Sequence, residues 1–228
     1  MALMPRLRQL LRRQRSSSRV GARRPTDTRR RGDTVHEDSL RAMLHDDPND
    51  ERAFTALADL VRRHAVESTN PDDPLTAAAE ESQRETSADL AVWSLAEELA
   101  GHPKAWRPLV ELGRLSIADD PEGALRRFAT AAERDETGEA LAQGIEALRD
   151  AGRPVDGLGL GIGHWRVREQ RAEVGRQLVL AALESDRVFE AKQHLEALDS
   201  HPDTVAVARL RPELVAAVEA AETAGSPT

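Results

Sequence analysis

The chain has 228 residues, a formal net charge of −8, no Cys, no Tyr and 3% aromatic residues. It is long enough for a sizeable core, but the missing thiols exclude disulfides, thiolate metal sites and a cysteine nucleophile. The scarcity of aromatics argues against a stacking platform for nucleic acid, and no apolar run approaches the roughly 20 residues a membrane-spanning helix needs.

Charge is distributed unevenly. Residues 1–31 hold eleven Arg against the single acid Asp27, so this head carries +10 and the rest of the chain −18. Leu3, Leu7, Leu10 and Leu11 lie on one helical face among Arg6, Arg8, Arg12 and Arg13. From there to residue 36 the composition is that of a disordered arm. An arm attracted to nucleic acid or to an anionic membrane is one reading. A passive tail, or a misassigned start, is the other, because Lys occurs only at Lys104 and Lys192 and the Arg and Ala richness fits a GC-rich genome. The apolar run is too short, and too interrupted by Arg, for a secretory signal.

The body, residues 37–222, reads as helix throughout apart from its breaks, with a frayed tail at 223–228. Residues 37–45 suit a short helix. A longer one is expected over 50–66, capped by Asp50, with Phe54, Leu57, Ala58 and Val61 on one side. Residues 67–85 are polar with two prolines and read as a loop, a polar insertion. Helix is expected again over 86–100, stopped by Gly101. Residues 104–118 and 122–134 form a pair broken at Asp119-Asp120-Pro121, with apolar stripes through Trp106, Leu109 and Leu112 and through Ala124, Phe128 and Ala131. Further helices are expected over 138–151, 167–184, 188–198 and 203–222, the last bent at Pro212. Between them, residues 155–165 (VDGLGLGIGHW) are glycine-rich.

The pattern recurs. Ala91 with Leu95, Ala124 with Phe128, Gly157 with Gly161 and Ala191 with Leu195 put a small residue and its fourth neighbour at steps of 33, 33 and 34. A second register, Phe54, Trp106, Leu141 and Gly175, steps by 52, 35 and 34, the first step being one repeat plus the insertion. A helix pair too thin to bury its own stripes needs neighbours like itself. Through Trp106, Leu109, Ala124 and Phe128, with Pro103 and Pro202 after second helices, the chain resembles the tetratricopeptide repeat family and its W-x2-L-G-x2-Y…A-x3-F…P pattern. It departs from that pattern at Val110 and Val179, and at Gly113 and Ala182 where an aromatic is usual. The resemblance covers residues 50–202. It implies an all-α, right-handed α-solenoid of about four degenerate helix-turn-helix repeats with a C-terminal capping helix, a related α-solenoid being the alternative.

That resemblance also implies a groove lined by the first helices. By register it holds Arg52, Thr55, Asp59 and Arg62; Lys104, Arg107, Glu111 and Arg114; Glu139, Ala142, Glu146 and Arg149; and Glu173 and Arg176. Seven basic and five acidic residues there would favour an acidic peptide. The competing reading is an ordinary solvated helix face. Asn49 and Asn70, the only asparagines, fall outside this lining, which argues against the family's carboxylate clamp. Gly157, Gly159, Gly161 and Gly163 before Trp165 and Arg166 read as a hinge or a contact point, or as a closely packed helix; no G-x-G-x-x-G runs through them and no strand precedes them. The seven His show no metal spacing, and there is no G-x-S-x-G. The expectation is a non-enzymatic scaffold in a bacterial cytoplasm, without metal or cofactor, that binds a protein or peptide. The alternative is an adaptor that docks through residues 1–31.

Overall fold

Helix ends in this chain are written in short-range chemistry. In the computed structural model, which describes residues 27–68 and 77–225 and the side chains of 34–68 and 81–224, ten helices and no strand occur among the described residues. These residues fall into two compact units, one ending at His102 and the other starting at Pro103.

The first unit contains α1 (Asp27–Asp46), α2 (Glu51–Ser68) and α3 (Ala77–Ala100). Asp50 caps α2, its Oδ1 accepting from the Ala53 N–H at 2.9 Å. Ala53, Phe54, Leu57, Ala58 and Leu60 are buried on α2, which packs on α3, where Val92, Trp93, Leu95 and Ala96 are buried. Leu40 and Leu44 bury the end of α1 against α2. Arg41 of α1 donates to both carboxylate oxygens of Glu98 of α3 at 3.0 Å.

Two expectations are corrected here. The helix expected over 37–45 begins at Asp27, so the arm read as disordered to residue 36 is helical from there. Once the buried Leu40 and Leu44 nucleate a helix, adding turns toward the N-terminus costs little, and the Arg residues there are good helix formers. Of the loop expected over 67–85, residues 67–68 and 77–85 are helical, and the rest lies outside the described residues. Residues 77–85 (AAAEESQRE) carry high helix propensity without an apolar stripe, so periodicity overlooks them. The amphipathic segment from Leu3 to Leu11 lies outside the described residues.

The second unit contains α4 (Arg107–Ser116), α5 (Pro121–Arg134), α6 (Glu139–Asp150), α7 (Pro154–His164), α8 (Ala172–Glu184), α9 (Val188–Leu198) and α10 (Thr204–Gly225). Asp120 caps α5 by accepting from the Gly123 N–H at 2.8 Å, with Pro121 at the first helical position. Buried Asp135 caps α6, its two oxygens accepting from Ala140 N–H at 2.7 Å and from the Thr137 N–H and hydroxyl. Helices α6 and α8 end alike. Gly152 and Asp186 sit at positive φ, and the next residue's N–H returns to the carbonyl five back, Arg153 to Leu148 and Arg187 to Ala182, both at 2.8 Å. The last helix continues through Pro212, burying Val207, Leu210, Leu214 and Val218.

Recurrence is visible in the starts. Helices α4, α6, α8 and α10 begin 32, 33 and 32 residues apart, and α5, α7 and α9 begin 33 and 34 apart. The first helices pack in order, α4 on α6, α6 on α8 and α8 on α10, while α5 packs on α7. The second-helix register holds within this unit, where Ala124, Gly157 and Ala191 are each the fourth residue of their helix and each buried, but not for Ala91, the fifteenth residue of α3 and only half-buried. The first-helix register does not hold. Trp106 is the N-cap of α4, whereas Leu141 and Gly175 are the third and fourth residues of α6 and α8. The equivalent positions are Leu109, Leu141 and Val174, all buried. A large aromatic near a helix start imitates the family pattern without occupying its place.

Close approach between helices depends on glycine at a few points. Phe128 is fully buried between Gly113 of α4, where a Cβ would collide with the ring, and Gly144 of α6, where it would come within 3.2 Å. The glycine-rich segment is a helix. Gly161 faces Leu178 and Ile145 with no room for a Cβ, and Gly157 lies against the Ile145 carbonyl. Gly159 and Gly163 face open space. Each glycine costs the helix about 1 kcal/mol relative to Ala, and packing accounts for two of the four.

Candidate partner-binding surfaces

The residues expected to line one groove are distributed over both units. Arg52, Thr55 and Asp59 are exposed on α2, and Arg62 is half-buried with Asp59 at 3.8 Å. In the second unit Lys104 is exposed just ahead of α4. Arg107 places its guanidinium 4.8 Å from the centre of the Trp106 ring, a cation–π contact that holds it at the start of α4. Glu111 is half-buried, 4.0 Å from the exposed Arg114 one turn on. Ala142, expected on the exposed face, is buried.

Farther along the first-helix layer the basic residues are matched by acids. Arg149 of α6, with a side chain only 13% exposed, forms an ion pair with Glu184 of α8 and donates to the amide oxygen of buried Gln177. Gln177 donates to Glu173 at 3.2 Å, Glu173 accepts from Arg176 at 2.9 Å, and Arg176 reaches Glu213 of α10 at 3.2 Å. Burial acts to lower the Arg176 pKa, but its hydrogen bonds to Glu173 and Glu213 raise it overall, so the cation is held by its acids. At the other end of α6, Glu139 accepts from Gln143 at 2.9 Å and pairs with Arg171. The result is a continuous polar ladder from Glu184 through Arg149, Gln177, Glu173 and Arg176 to Glu213. It carries two positive and three negative charges.

Gln177, Glu184, Arg171 and Glu213 were not among the expected site residues. The signal that could have found them is an opposite charge roughly one repeat later, as in Arg149 with Glu184 and Arg176 with Glu213. Of the basic positions expected along the first helices of this unit, Lys104, Arg107 and Arg114 lie at or just before α4.

Of the hinge candidates, Gly157 and Gly161 are buried and Trp165 is half-buried, while Gly159, Gly163 and Arg166 are exposed. Trp165 follows α7 and meets His194 of α9 edge-on, ring centres 6.1 Å apart. Its indole nitrogen is buried without an acceptor. Burial lowers the His194 pKa against a smaller upward pull from Glu190. The loop from Trp165 to Arg171 is pinned at three points. The Arg166 N–H donates to the Gln170 side chain at 2.9 Å, and the Arg171 N–H to the Thr137 carbonyl at 2.9 Å. His201 accepts the Asp203 N–H on Nδ1, so its Nε2 carries the proton and donates to the Gln170 carbonyl at 2.7 Å. Arg166 itself is exposed, 3.6 Å from Glu169.

No protein-family model, curated protein or solved structure matches this chain. Among the described residues no cluster of three or more His, Asp or Glu could hold a metal, and no helix is long and apolar enough to cross a membrane.

Proposed function

We propose that this chain is a non-enzymatic interaction scaffold: a tetratricopeptide-like, right-handed solenoid that holds a peptide segment of a partner protein against its first helices in the cytoplasm. The observation carrying this reading is the recurrence of three helix pairs at 32 to 34 residues, with first helices packed on first helices from α4 to α10. Such stacking lines up exposed first-helix residues into one long surface, the usual place for an extended or helical ligand. In this reading the polar ladder is a rigid floor, because its arginines are already committed to Glu184, Glu173 and Glu213. Arg107 and Arg114 provide the charge that selects an acidic segment, and α10 caps the last apolar face.

A photo-crosslinking residue at position 114 tests it, against the same residue at position 126 on the exposed face of α5. A partner protein captured from 114 and not from 126, and lost in the Arg107→Glu/Arg114→Glu variant, is the expected result. A second reading rests on the +10 of residues 1–31. Capture that survives the charge reversal, weakens steeply with salt and disappears when residues 1–31 are removed would replace the groove by an arm that docks on nucleic acid or membrane.

A further inference from the structure

Two neighbouring first helices of the second unit repeat their accessible positions with the charge inverted. Helices α4 and α6 begin 32 residues apart and pack on each other, and each leaves its first, fifth and eighth residues accessible along one face. In α4 these are Arg107, Glu111 and Arg114; in α6 they are Glu139, Gln143 and Glu146. At the first place both charges are held, Arg107 over the Trp106 ring and Glu139 by Arg171. The eighth place is different. Arg114, its side chain 42% exposed, lies 4.0 Å from Glu111 one turn back, a distance and an exposure at which an ion pair contributes little. Glu146 has no hydrogen-bond or ion-pair partner among the described residues, and so does not reach Arg114 although their helices touch. Between the later first helices such opposites are joined, Arg149 with Glu184 and Arg176 with Glu213. Between α4 and α6 they are left open.

From this we infer that the partner segment is of mixed charge, with an acid for Arg114 and a base for Glu146, and that it lies extended across α4 and α6. The inference rests on the groove reading above and narrows its acidic segment to one that carries both signs. Spacing follows from the two geometries. Packed helix axes are about 8–10 Å apart, and a polyproline II segment advances about 3.1 Å per residue with three residues per turn. Residues three apart in such a segment therefore share one face and are separated by about one helix spacing. A β-strand returns to the same face only at even steps, which overshoot or fall short of that distance. A segment of a single sign sets a like charge against Arg114 or Glu146 and is disfavoured. Helix α8 adds no free charge, since Glu173, Arg176 and Glu184 are committed to the ladder. Which charge comes first follows from the direction in which the segment runs, and exchanging Arg114 and Glu146 must reverse it.

Selection of a random-peptide phage library on the immobilised full chain tests this, with Arg114→Glu/Glu146→Arg as the exchanged variant. Both side chains reach solvent, so the variants should fold as the parent does, checked by circular dichroism and melting temperature. The expected result is enrichment of peptides with one acid and one base three residues apart, in one order on the parent and in the reverse order on the exchanged variant. A synthetic peptide of the parent order should lose about fivefold in affinity on Glu146→Arg alone. Acid-only peptides that ignore Glu146→Arg but are lost with Arg107→Glu/Arg114→Glu overturn this proposal and leave the groove in place. Peptides that bind every variant alike overturn both. An empty selection overturns the proposal as well, the groove then being decided by crosslinking from position 114.

Discussion

The first turns of α3 and the whole of α7 are both helical, and they are helical for opposite reasons. Residues 77–85 have composition without a pattern: Ala, Glu, Gln and Arg favour helix, the side chains from Glu81 to Gln83 and Glu85 are exposed, and Arg84 reaches Glu81 at 3.1 Å. Residues 154–164 have a packed seat without the composition. Four glycines oppose the helix, but Leu158 and Leu160 are buried and Gly157 and Gly161 let Ile145 and Leu178 come close. Local propensity suffices where side chains such as Glu81, Ser82 and Gln83 are exposed. Where much packs, it is overridden.

That contrast can be tested at several points. The largest effect is expected at Phe128, held between Gly113 and Gly144. Phe128→Ala should cost about 3–5 kcal/mol in urea unfolding of the second unit, and a loss under 1 kcal/mol would mean that the seat is not tightly packed. Next come two glycines of α7. Gly161→Ala should destabilise by about 1–3 kcal/mol through collision with Leu178 and Ile145. Gly159→Ala, facing open space, should stabilise by up to about 1 kcal/mol. Equal signs for the two would erase the distinction between inner and outer glycines. In α3, Glu85→Gly should cost about 1 kcal/mol of local helix. Its signature is faster amide exchange over 77–85 with the global unfolding midpoint nearly unchanged; a large global loss would show that this segment is held by packing after all.

The smallest effect concerns His194, packed against Trp165 just past α7. Burial depresses its folded-state pKa below the 6.5 of the unfolded chain, so the native state favours the neutral ring. Its contribution is fully present above about pH 6.5 and is lost as pH falls through the window down to the depressed folded value. His194→Gln should flatten part of the decline in melting temperature between pH 7 and 5. An unchanged slope would assign the decline to other groups.

Much of the architecture could be read before any coordinates. Asp50 and Asp120-Pro121 as helix starts, Gly152-Arg153-Pro154 as a break, and the second-helix register through Ala124, Gly157 and Ala191 all lie where the residues indicated. The errors have identifiable causes. An Ala- and Glu-rich run has no apolar period to detect, so the start of α3 was hidden. Trp106 carried a pattern match, but it caps α4 from outside and shifted the first-helix register. The expected groove was a list of charges along separate helices, and nothing in one helix reveals which of them the next helix neutralises.

By itself the sequence determined that this is a helical chain, where most helices begin and end, and which stripes need covering. Those features are settled within four or five residues by caps, turns and apolar spacing. The tertiary structure alone decided that Arg149 and Arg176 are bound by acids about one repeat away, that Gly113 and Gly161 leave no room for a Cβ while Gly159 and Gly163 face open space, and that Val155 and Ile162 of α7 are exposed. Lateral pairing depends on the offset between stacked helices, and that offset is set by the closest approach their backbones can make at a few glycines and one phenylalanine.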